Sequence, residues 1–142
     1  MIAFWDSSAI IPLIIKEDRT DQSIALFKKT KKMLVWEFTQ TECFSAICKK
    51  EKNGDLSDLF LKEALHSMLQ LSGLWNEISP LSALTKSLAK RIISAYGLKT
   101  LDSLQLATAL VACQEDTKRL TFITYDKGLA KAALKEGFYV IS

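Results

Sequence analysis

The sequence is poor in the residues that build disulfide frameworks and nitrogen- or sulfur-ligated metal sites. It has one histidine, His66, and three cysteines, an odd number without a Cys-x-x-Cys pair. Cys43, Cys48 and Cys113 all fall in helical patterns, so we interpret them as small core residues of a protein in a reducing cytoplasm. His66 has no second ligand in its pattern, and we expect a surface or packing role for it. Structural disulfides are therefore not expected.

Long apolar runs are also missing. No run approaches the roughly 20 residues that span a membrane, and residues 1–5 carry none of the basic charge that opens a signal peptide. The two prolines, Pro12 and Pro80, mark no domain boundary. A chain of 142 residues that is 49% hydrophobic can bury one core. We expect a single cytoplasmic domain spanning residues 1–142.

Strong charge of either sign is absent as well. The net charge is +3, from 19 basic and 16 acidic residues. This mild excess is compatible with an anionic partner but falls short of a polybasic nucleic-acid module. Local lysine clusters are interpreted as solvated helix ends, where cations favour the helix dipole; they lie at 28, 29, 31 and 32 and again at 49, 50 and 52.

What the sequence does contain is a regular alternation of short apolar runs and helical patterns. Strands are predicted over 2–5, 33–36, 74–78, 120–124 and 138–141. Helices are predicted over 9–15, 20–32, 39–52, 56–71, 82–96, 100 to about 115, and 129–135, with Ser7 or Ser8 as a possible cap of the first. Short apolar strands separated by helices indicate a parallel sheet covered by helices on both faces.

One segment, residues 99–109, places an acid at the head of an apolar helix face. Asp102 lies in the first turn, and steps of three and four residues from it reach Leu106, Ala109 and Cys113. An ionised carboxylate removed from water is costly unless a partner stabilises it. The partner of Asp102 is therefore the central question of the sequence.

Three further acids are predicted to lie near the same edge of the sheet. Asp6 follows the first strand, Glu42 is early in the helix after the second, and Asp126 follows the fourth. In an open parallel sheet, function collects beyond the carboxyl ends of the strands. We expect these three side chains and Asp102 to meet there.

Each acid also has a purely structural explanation. Asp6 and Asp126 fit helix N-caps, Asp102 complements a helix N-terminus, and Glu42 could close a capping box with Thr39. Capping does not, however, require all four acids to lie at one end of the sheet. Taken together, the acids favour a shared site.

Oxygen-only ligands suit hard cations, so Mg²⁺ or Mn²⁺ is favoured over Zn²⁺. Such ions activate water and stabilise the charge that builds on phosphorus when a phosphodiester is cleaved. Three nearby hydroxyls, those of Ser7, Ser8 and Thr124, could support the site, or they could simply cap helices and fill a strand.

Four motifs, in this order and spacing, resemble those of the PIN domain, and in particular the short VapC-type ribonuclease toxins of VapBC toxin–antitoxin pairs. They are Asp-Ser-Ser-Ala at 6–9, Thr-Glu at 41–42, Leu-Asp-Ser-Leu-Gln-Leu-Ala-Thr-Ala at 101–109, and Phe-Ile-Thr-Tyr-Asp-Lys at 122–127. Each motif alone is weak, whereas the four together are fairly specific and cover essentially the whole chain.

The resemblance implies a three-layer α/β/α sandwich with a central parallel sheet. It implies a Mg²⁺- or Mn²⁺-dependent endoribonuclease that forms a homodimer and is inhibited by a cognate VapB-like antitoxin. The family's acids fall on Asp6, Glu42, Asp102 and Asp126, its Thr-x-Asp threonine on Thr124, and its small hydroxyl residue on Ser7 or Ser8. Glu37, near the end of the second strand, competes with Glu42 for the glutamate role.

Two alternatives remain for this pattern. The first is a PIN-fold module that binds RNA or protein without nuclease activity. The second is another parallel α/β protein with clustered acids, such as a phosphoacceptor receiver or a haloacid-type phosphatase. A receiver requires paired acids after the first strand, and the phosphatase requires Asp-x-Asp, whereas Asp6 is followed by Ser7 and Ser8. The sequence therefore counts against the second alternative.

Overall fold

The computed structural model describes residues 1–79 and 82–142, so Pro80 lies outside the described residues. Within those two ranges the chain forms five β-strands and seven α-helices. The strands are β1 (Ile2–Trp5), β2 (Lys32–Trp36), β3 (Asn76–Ile78), β4 (Thr121–Ile123) and β5 (Tyr139–Ile141). The helices are α1 (Ser7–Ile14), α2 (Thr20–Lys29), α3 (Thr39–Lys52), α4 (Asp58–Ser72), α5 (Ala83–Tyr96), α6 (Thr100–Ala112) and α7 (Lys127–Lys135).

The strands form one sheet in the order β3-β2-β1-β4-β5, and every neighbouring pair is parallel. β1 therefore lies at the centre, and its register pairs Ala3 with Met33 on one side and with Thr121 on the other. All five carboxyl ends point to the same edge. This arrangement confirms the predicted parallel α/β fold.

Two separate cores lie on the two faces of the sheet because strand side chains alternate. Ala3 and Trp5 of β1 pack on one face with α1, α3 and α4, whereas Phe4 packs on the other with α5, α6 and α7. β2 alternates in the same way, with Met33 and Val35 on the first face. The result is the expected three-layer α/β/α sandwich.

The predicted inward face of α6 is confirmed, since Leu106 and Ala109 are fully buried. The helix ends at Ala112, earlier than the predicted residue 115, because Gln114 and Glu115 adopt left-handed backbone conformations with φ of 53° and 62°. At the start of α1, the cap is Asp6 rather than Ser7 or Ser8. His66 is exposed on α4, as expected.

None of the helices in the two described ranges combines the length and the hydropathy that crossing a bilayer demands. The three cysteines are free thiols; Cys43 and Cys113 are buried core residues as expected, whereas Cys48 is only partly buried.

Candidate active site

Three neighbouring strands bring the predicted acids to one edge of the sheet. Asp6 follows β1 directly, and its backbone N–H donates to the carbonyl of Ile123, the last residue of β4, at 2.9 Å. Asp126 lies three residues beyond Ile123 and Glu42 lies in the first turn of the helix after β2. The parallel register therefore gathers residues that are far apart in the sequence.

Asp6 is nearly buried, with 6% of its surface exposed, and donors surround its carboxylate. Oδ1 accepts a hydrogen bond from Gln105 Nε2 at 3.0 Å, and Oδ2 accepts one from Thr124 Oγ1 at 2.8 Å. Oδ2 also accepts from the Ser8 hydroxyl and, at 3.3 Å, from the Ser8 backbone N–H. These donors compensate for the loss of hydration of a buried carboxylate.

The same hydroxyls connect the turn after β1 to the turn after β4. Ser8 Oγ accepts from the backbone N–H of Tyr125 at 2.9 Å, and Thr124 Oγ1 accepts from that of Asp126 at 3.0 Å. Ser8 and Thr124 therefore fix the position of Asp126 relative to Asp6. The structure places both hydroxyls in the site.

Glu42 faces the same cluster from α3. Its Oε2 accepts a hydrogen bond from Trp36 Nε1 at 3.2 Å. Burial raises the pKa of Glu42 to about 7, although the Trp36 hydrogen bond opposes the shift. The charges of Asp6 and Asp102 also contribute to this rise in pKa, and the hydrogen bond with the Ser7 hydroxyl opposes it. Glu42 is therefore close enough to Asp6 and Asp102 for their charges to act on its carboxylate.

The capping-box explanation of Glu42 is wrong. Thr39 is the first residue of α3 rather than its cap, no side chain caps this helix, and the Thr39 hydroxyl has no hydrogen-bond partner among the described residues. Glu42 is bonded instead to the indole of Trp36.

Asp102 is half-buried in the first turn of α6, and burial raises its pKa. The charges of Asp126 and Asp6 raise it further, whereas Lys99 lowers it. Within residues 1–79 and 82–142, no donor is hydrogen-bonded to the Asp102 carboxylate. Its oxygens are thus available to a ligand.

Asp126 is exposed and caps α7, because its Oδ1 accepts from the backbone N–H of Leu129 at 2.7 Å. The N-cap explanation is therefore correct for this residue. Its charge also acts on Asp102, so capping and membership of the acid cluster coexist.

Glu37 lies apart from this cluster. Its backbone N–H donates to Ile78 of β3 at 3.2 Å, and its Oε2 accepts from the Ser79 hydroxyl at 2.8 Å. Its charge contributes to neither the Glu42 nor the Asp102 pKa shift. The geometry favours Glu42 over Glu37.

Two residues of the site were not predicted from the sequence, Gln105 and Trp36. Gln105 is 1% exposed, lies one turn after Asp102 and reaches Asp6, which directly follows β1. A buried amide in an otherwise apolar helix face was the available signal. Trp36 gave no such signal, because its apolar ring belongs to the core and only its N–H reaches the site.

The donor set fits a hard divalent cation. All four acids supply oxygen, and burial and mutual repulsion raise the pKa values of Glu42 and Asp102, a repulsion that a cation would relieve. In the part of the chain that the structure describes, no three His, Cys, Asp or Glu side chains are arranged as a preformed metal site. The carboxylates are thus grouped but not closed into a ligand shell.

The fold and this edge define a parallel α/β domain with a carboxylate site at the ends of its central strands. The family model of the PIN domain matches residues 3–135. The chain therefore belongs to the PIN domain family.

Solved structures support the same fold. PAE2754 from Pyrobaculum aerophilum superimposes with a TM-score of 0.70 and 16% identity over 99% of this chain and 89% of that one. A toxin–antitoxin complex from Klebsiella pneumoniae superimposes with a TM-score of 0.65 and 20% identity over 99% of this chain and 96% of that one. FitAcB from Neisseria gonorrhoeae superimposes with a TM-score of 0.65 and 16% identity over 100% of this chain and 97% of that one. A comparison with curated proteins found no match.

Proposed function

We propose that this protein is a Mg²⁺- or Mn²⁺-dependent endoribonuclease that hydrolyses RNA phosphodiester bonds as a single domain over residues 1–142. One observation carries the proposal: four carboxylates lie at one sheet edge, where the charges of Asp6 and Asp102 add to the burial that raises the Glu42 pKa to about 7, and those of Asp126 and Asp6 add to the burial that raises the Asp102 pKa. Among the described residues, Lys99 is the one cation whose charge lowers the pKa of Glu42 or Asp102, and a cluster with so little compensation from side chains is suited to a divalent cation.

The four acids, Asp6, Glu42, Asp102 and Asp126, would hold the cation. When bound, the ion would supply activation of water and stabilisation of charge on phosphorus. The protein's own contribution is preorganisation. Gln105, Ser8 and Thr124 fix Asp6, and the Trp36 indole orients Glu42. A carboxylate of the cluster would accept a proton from the attacking water as the water oxygen bonds to phosphorus. The P–O bond to the leaving RNA segment would break, and the leaving oxygen would take up a proton, so that two shorter RNAs result.

We further propose that the protein is the toxin of a type II toxin–antitoxin pair, acting in the cytoplasm as a homodimer and inhibited by a VapB-like antitoxin. The support is the PIN family together with fold likeness to proteins that were solved as toxin–antitoxin assemblies, from Klebsiella pneumoniae and, as VapBC2, from Rickettsia felis. An antitoxin would be expected to co-purify with the chain when the adjacent reading frame is expressed with it.

The nuclease proposal is tested by RNA cleavage with and without Mg²⁺ for the wild type and Asp102→Asn. We expect metal-dependent cleavage by the wild type and a loss of at least about a hundredfold in the variant, because one ligand charge is removed. Asp58→Asn is the matched control, since Asp58 is an exposed acid in the first turn of α4. Equal cleavage by the wild type and Asp102→Asn would end the proposal, and RNA binding without any cleavage would favour a binding module.

A further inference from the structure

Helix α7 carries a regular row of cations that the acid cluster does not use. Lys127, Lys131 and Lys135 are four residues apart, so they share one helix face, and all three are exposed. Successive members are separated by about 6 Å along the helix axis. None of them forms an ion pair with any described residue. We call these three residues the α7 lysine face.

The α7 lysine face starts at the acid cluster. Asp126 is the N-cap of α7 and Lys127 is its first residue, so the row leads away from the cluster down the side of the molecule. Lys99 adds a cation at the same edge, since its charge lowers the pKa of Asp102. Glu136, the acid that follows α7 directly, is already paired with Arg91 at 2.7 Å. Positive charge therefore dominates this path.

A cavity of about 200 Å³ opens beside the lysines, between the end of α5 and α7. Tyr96 and Leu98 give it aromatic and apolar walls, and Lys131 and Lys135 also line it. Gly128 separates it from the acid cluster: a Cβ at this position would lie 3.3 Å from Asp126 Oδ1 and 3.9 Å from a Leu98 methyl group. The cavity thus adjoins Asp126.

We propose that the α7 lysine face and this cavity bind a single-stranded segment of the RNA substrate next to the acid cluster, with phosphates at Lys131 and Lys135 and one unstacked base in the cavity. The inference depends on the proposed function for the identity of the ligand. Alternating phosphate charge and planar bases match a row of cations beside an aromatic-walled cavity, and a base can enter such a cavity only when it is unstacked. An acidic protein segment would use the lysines but not the cavity.

Binding of a short fluorescein-labelled single-stranded RNA tests the lysines, measured by anisotropy in the Asp102→Asn background so that the RNA stays intact. Lys131→Ala combined with Lys135→Ala should weaken binding several-fold. It should also reduce the slope of log affinity against log salt by about 1.4, since each lost phosphate contact on a single strand contributes about 0.7. The matched control combines Lys28→Ala with Lys29→Ala, which removes two charges from the last turn of α2. With that control variant, the slope of log affinity against log salt should stay close to its value in the Asp102→Asn background.

The cavity is tested with Ala95→Leu, which introduces a larger side chain from an exposed position on its rim. The protein with alanine at position 95 should bind single-stranded RNA several-fold more tightly than a strand of abasic sugar-phosphates. Ala95→Leu should reduce this difference in affinity without changing the slope of log affinity against log salt. Equal behaviour of the two lysine double variants, or no RNA binding at all, would overturn the proposal. If the lysine double variant binds RNA more weakly but neither Ala95→Leu nor the removal of the bases changes the affinity, the part of the proposal that places a base in the cavity is wrong.

Cleavage by the otherwise unaltered protein separates this proposal from the proposed function. If the wild type cleaves RNA and the two lysine double variants bind alike, the nuclease stands and the path on α7 is wrong. If the lysine double variant binds RNA more weakly and the wild type never cleaves, the path stands and the nuclease is wrong.

Discussion

Asp6 is the carboxylate that the fold holds most firmly, because donors from three different segments reach it. Gln105 contributes from α6, Thr124 from the end of β4, and Ser8 from α1. Asp102 has no such donor in the described ranges, and Asp126 uses one oxygen as a helix cap. The fold therefore restrains Asp6 more than it restrains Asp102.

Replacing Gln105 with methionine should show what the buried amide does for Asp6. The side chain keeps its length but loses its N–H donor, so Asp6 Oδ1 would be left without its partner in a buried position. We expect a loss of about 1–3 kcal/mol in the free energy of unfolding and reduced RNA cleavage. Urea denaturation and a cleavage assay measure the two effects.

The control for this prediction is a double-mutant cycle with Asp6→Asn, since the coupling energy isolates the pair. If the effects of Gln105→Met and Asp6→Asn simply add, the hydrogen bond does not hold Asp6 in place.

Glu136 offers a pH test at a distance from the acid cluster. Arg91 donates to both of its oxygens, at 2.8 and 2.7 Å, and Tyr96 donates at 2.7 Å. The hydrogen bonds from Arg91, followed by that from Tyr96, hold the pKa of Glu136 below its usual value of 4.5. A depressed pKa means that the unfolded chain takes up the proton first, so the stabilisation is present above pH 4.5 and is lost as the pH falls through the folded-state pKa.

We therefore expect Glu136→Gln to be less stable than the wild type at neutral pH. The difference in the free energy of unfolding between the two proteins should become smaller as the pH falls. Denaturation midpoints measured across this range give the gap directly. Lys118→Ala, which changes an exposed residue, should shift the curves little at any pH. A gap that widened as the pH fell would contradict the assignment.

At the scale of helices and strands, hydrophobic periodicity predicted the five strands and seven α-helices of the described residues, but it did not predict the short 3-10 helix at Thr117–Arg119 or all of the element ends. The end of α6 shows why. Nothing in the letters of Gln114 and Glu115 demands positive φ, since glycine is the usual residue there, yet both adopt it. The start of α3 is similar, because Thr39 and Glu42 fit a capping box in sequence while Glu42 is directed to Trp36 instead. Tertiary contacts outweighed the local pattern.

The double role of Asp126 can be separated by two substitutions. Asparagine caps helices about as well as aspartate, so Asp126→Asn should keep the stability of α7 within about 0.5 kcal/mol while removing a charge from the acid cluster. Alanine removes both, so Asp126→Ala should lose about 1 kcal/mol in addition. We expect both variants to lose RNA cleavage, and only the second to lose stability in urea denaturation.

Ser82→Ala provides the control for capping alone, because Ser82 caps α5 through the backbone N–H of Thr85 at 3.1 Å. Ser82→Ala should lower the free energy of unfolding about as much as Asp126→Ala does, and it should leave RNA cleavage unchanged at a temperature where the variant is still folded. If Asp126→Asn cleaves RNA like the wild type, Asp126 is a cap only.

At the scale of the whole molecule, the strand order creates the site. The central position of β1 places Asp6 between the ends of β2 and β4, so acids separated by more than a hundred residues meet in one place. The sequence could indicate that acids follow strands, and from this the four acids were predicted together. It could not indicate that Gln105 would reach Asp6 or that the Trp36 N–H would reach Glu42, because both contacts depend on how α6 and α3 pack on the sheet.

Repulsion among the carboxylates at one sheet edge should lower the free energy of unfolding of the metal-free protein. Asp102→Asn removes one of the repelling carboxylates, and the neutral asparagine has no charge whose burial is unfavourable. We expect this variant to unfold at a higher temperature than the wild type in a chelator. With Mn²⁺ the order should reverse, since a ligand present at a hundredfold excess over its Kd stabilises the folded state by about 2.7 kcal/mol and the variant binds it more weakly.

Scanning calorimetry in EDTA and in Mn²⁺ measures both halves of this prediction, and Asp58→Asn should follow the wild type in each. A variant that was destabilised in EDTA would mean that the repulsion at this edge is already neutralised without a cation. Equal shifts of the wild type and Asp102→Asn on adding Mn²⁺ would mean that the ion binds elsewhere. Because the readout is unfolding rather than cleavage, it tests the carboxylate cluster as a cation site whatever RNA the protein recognises.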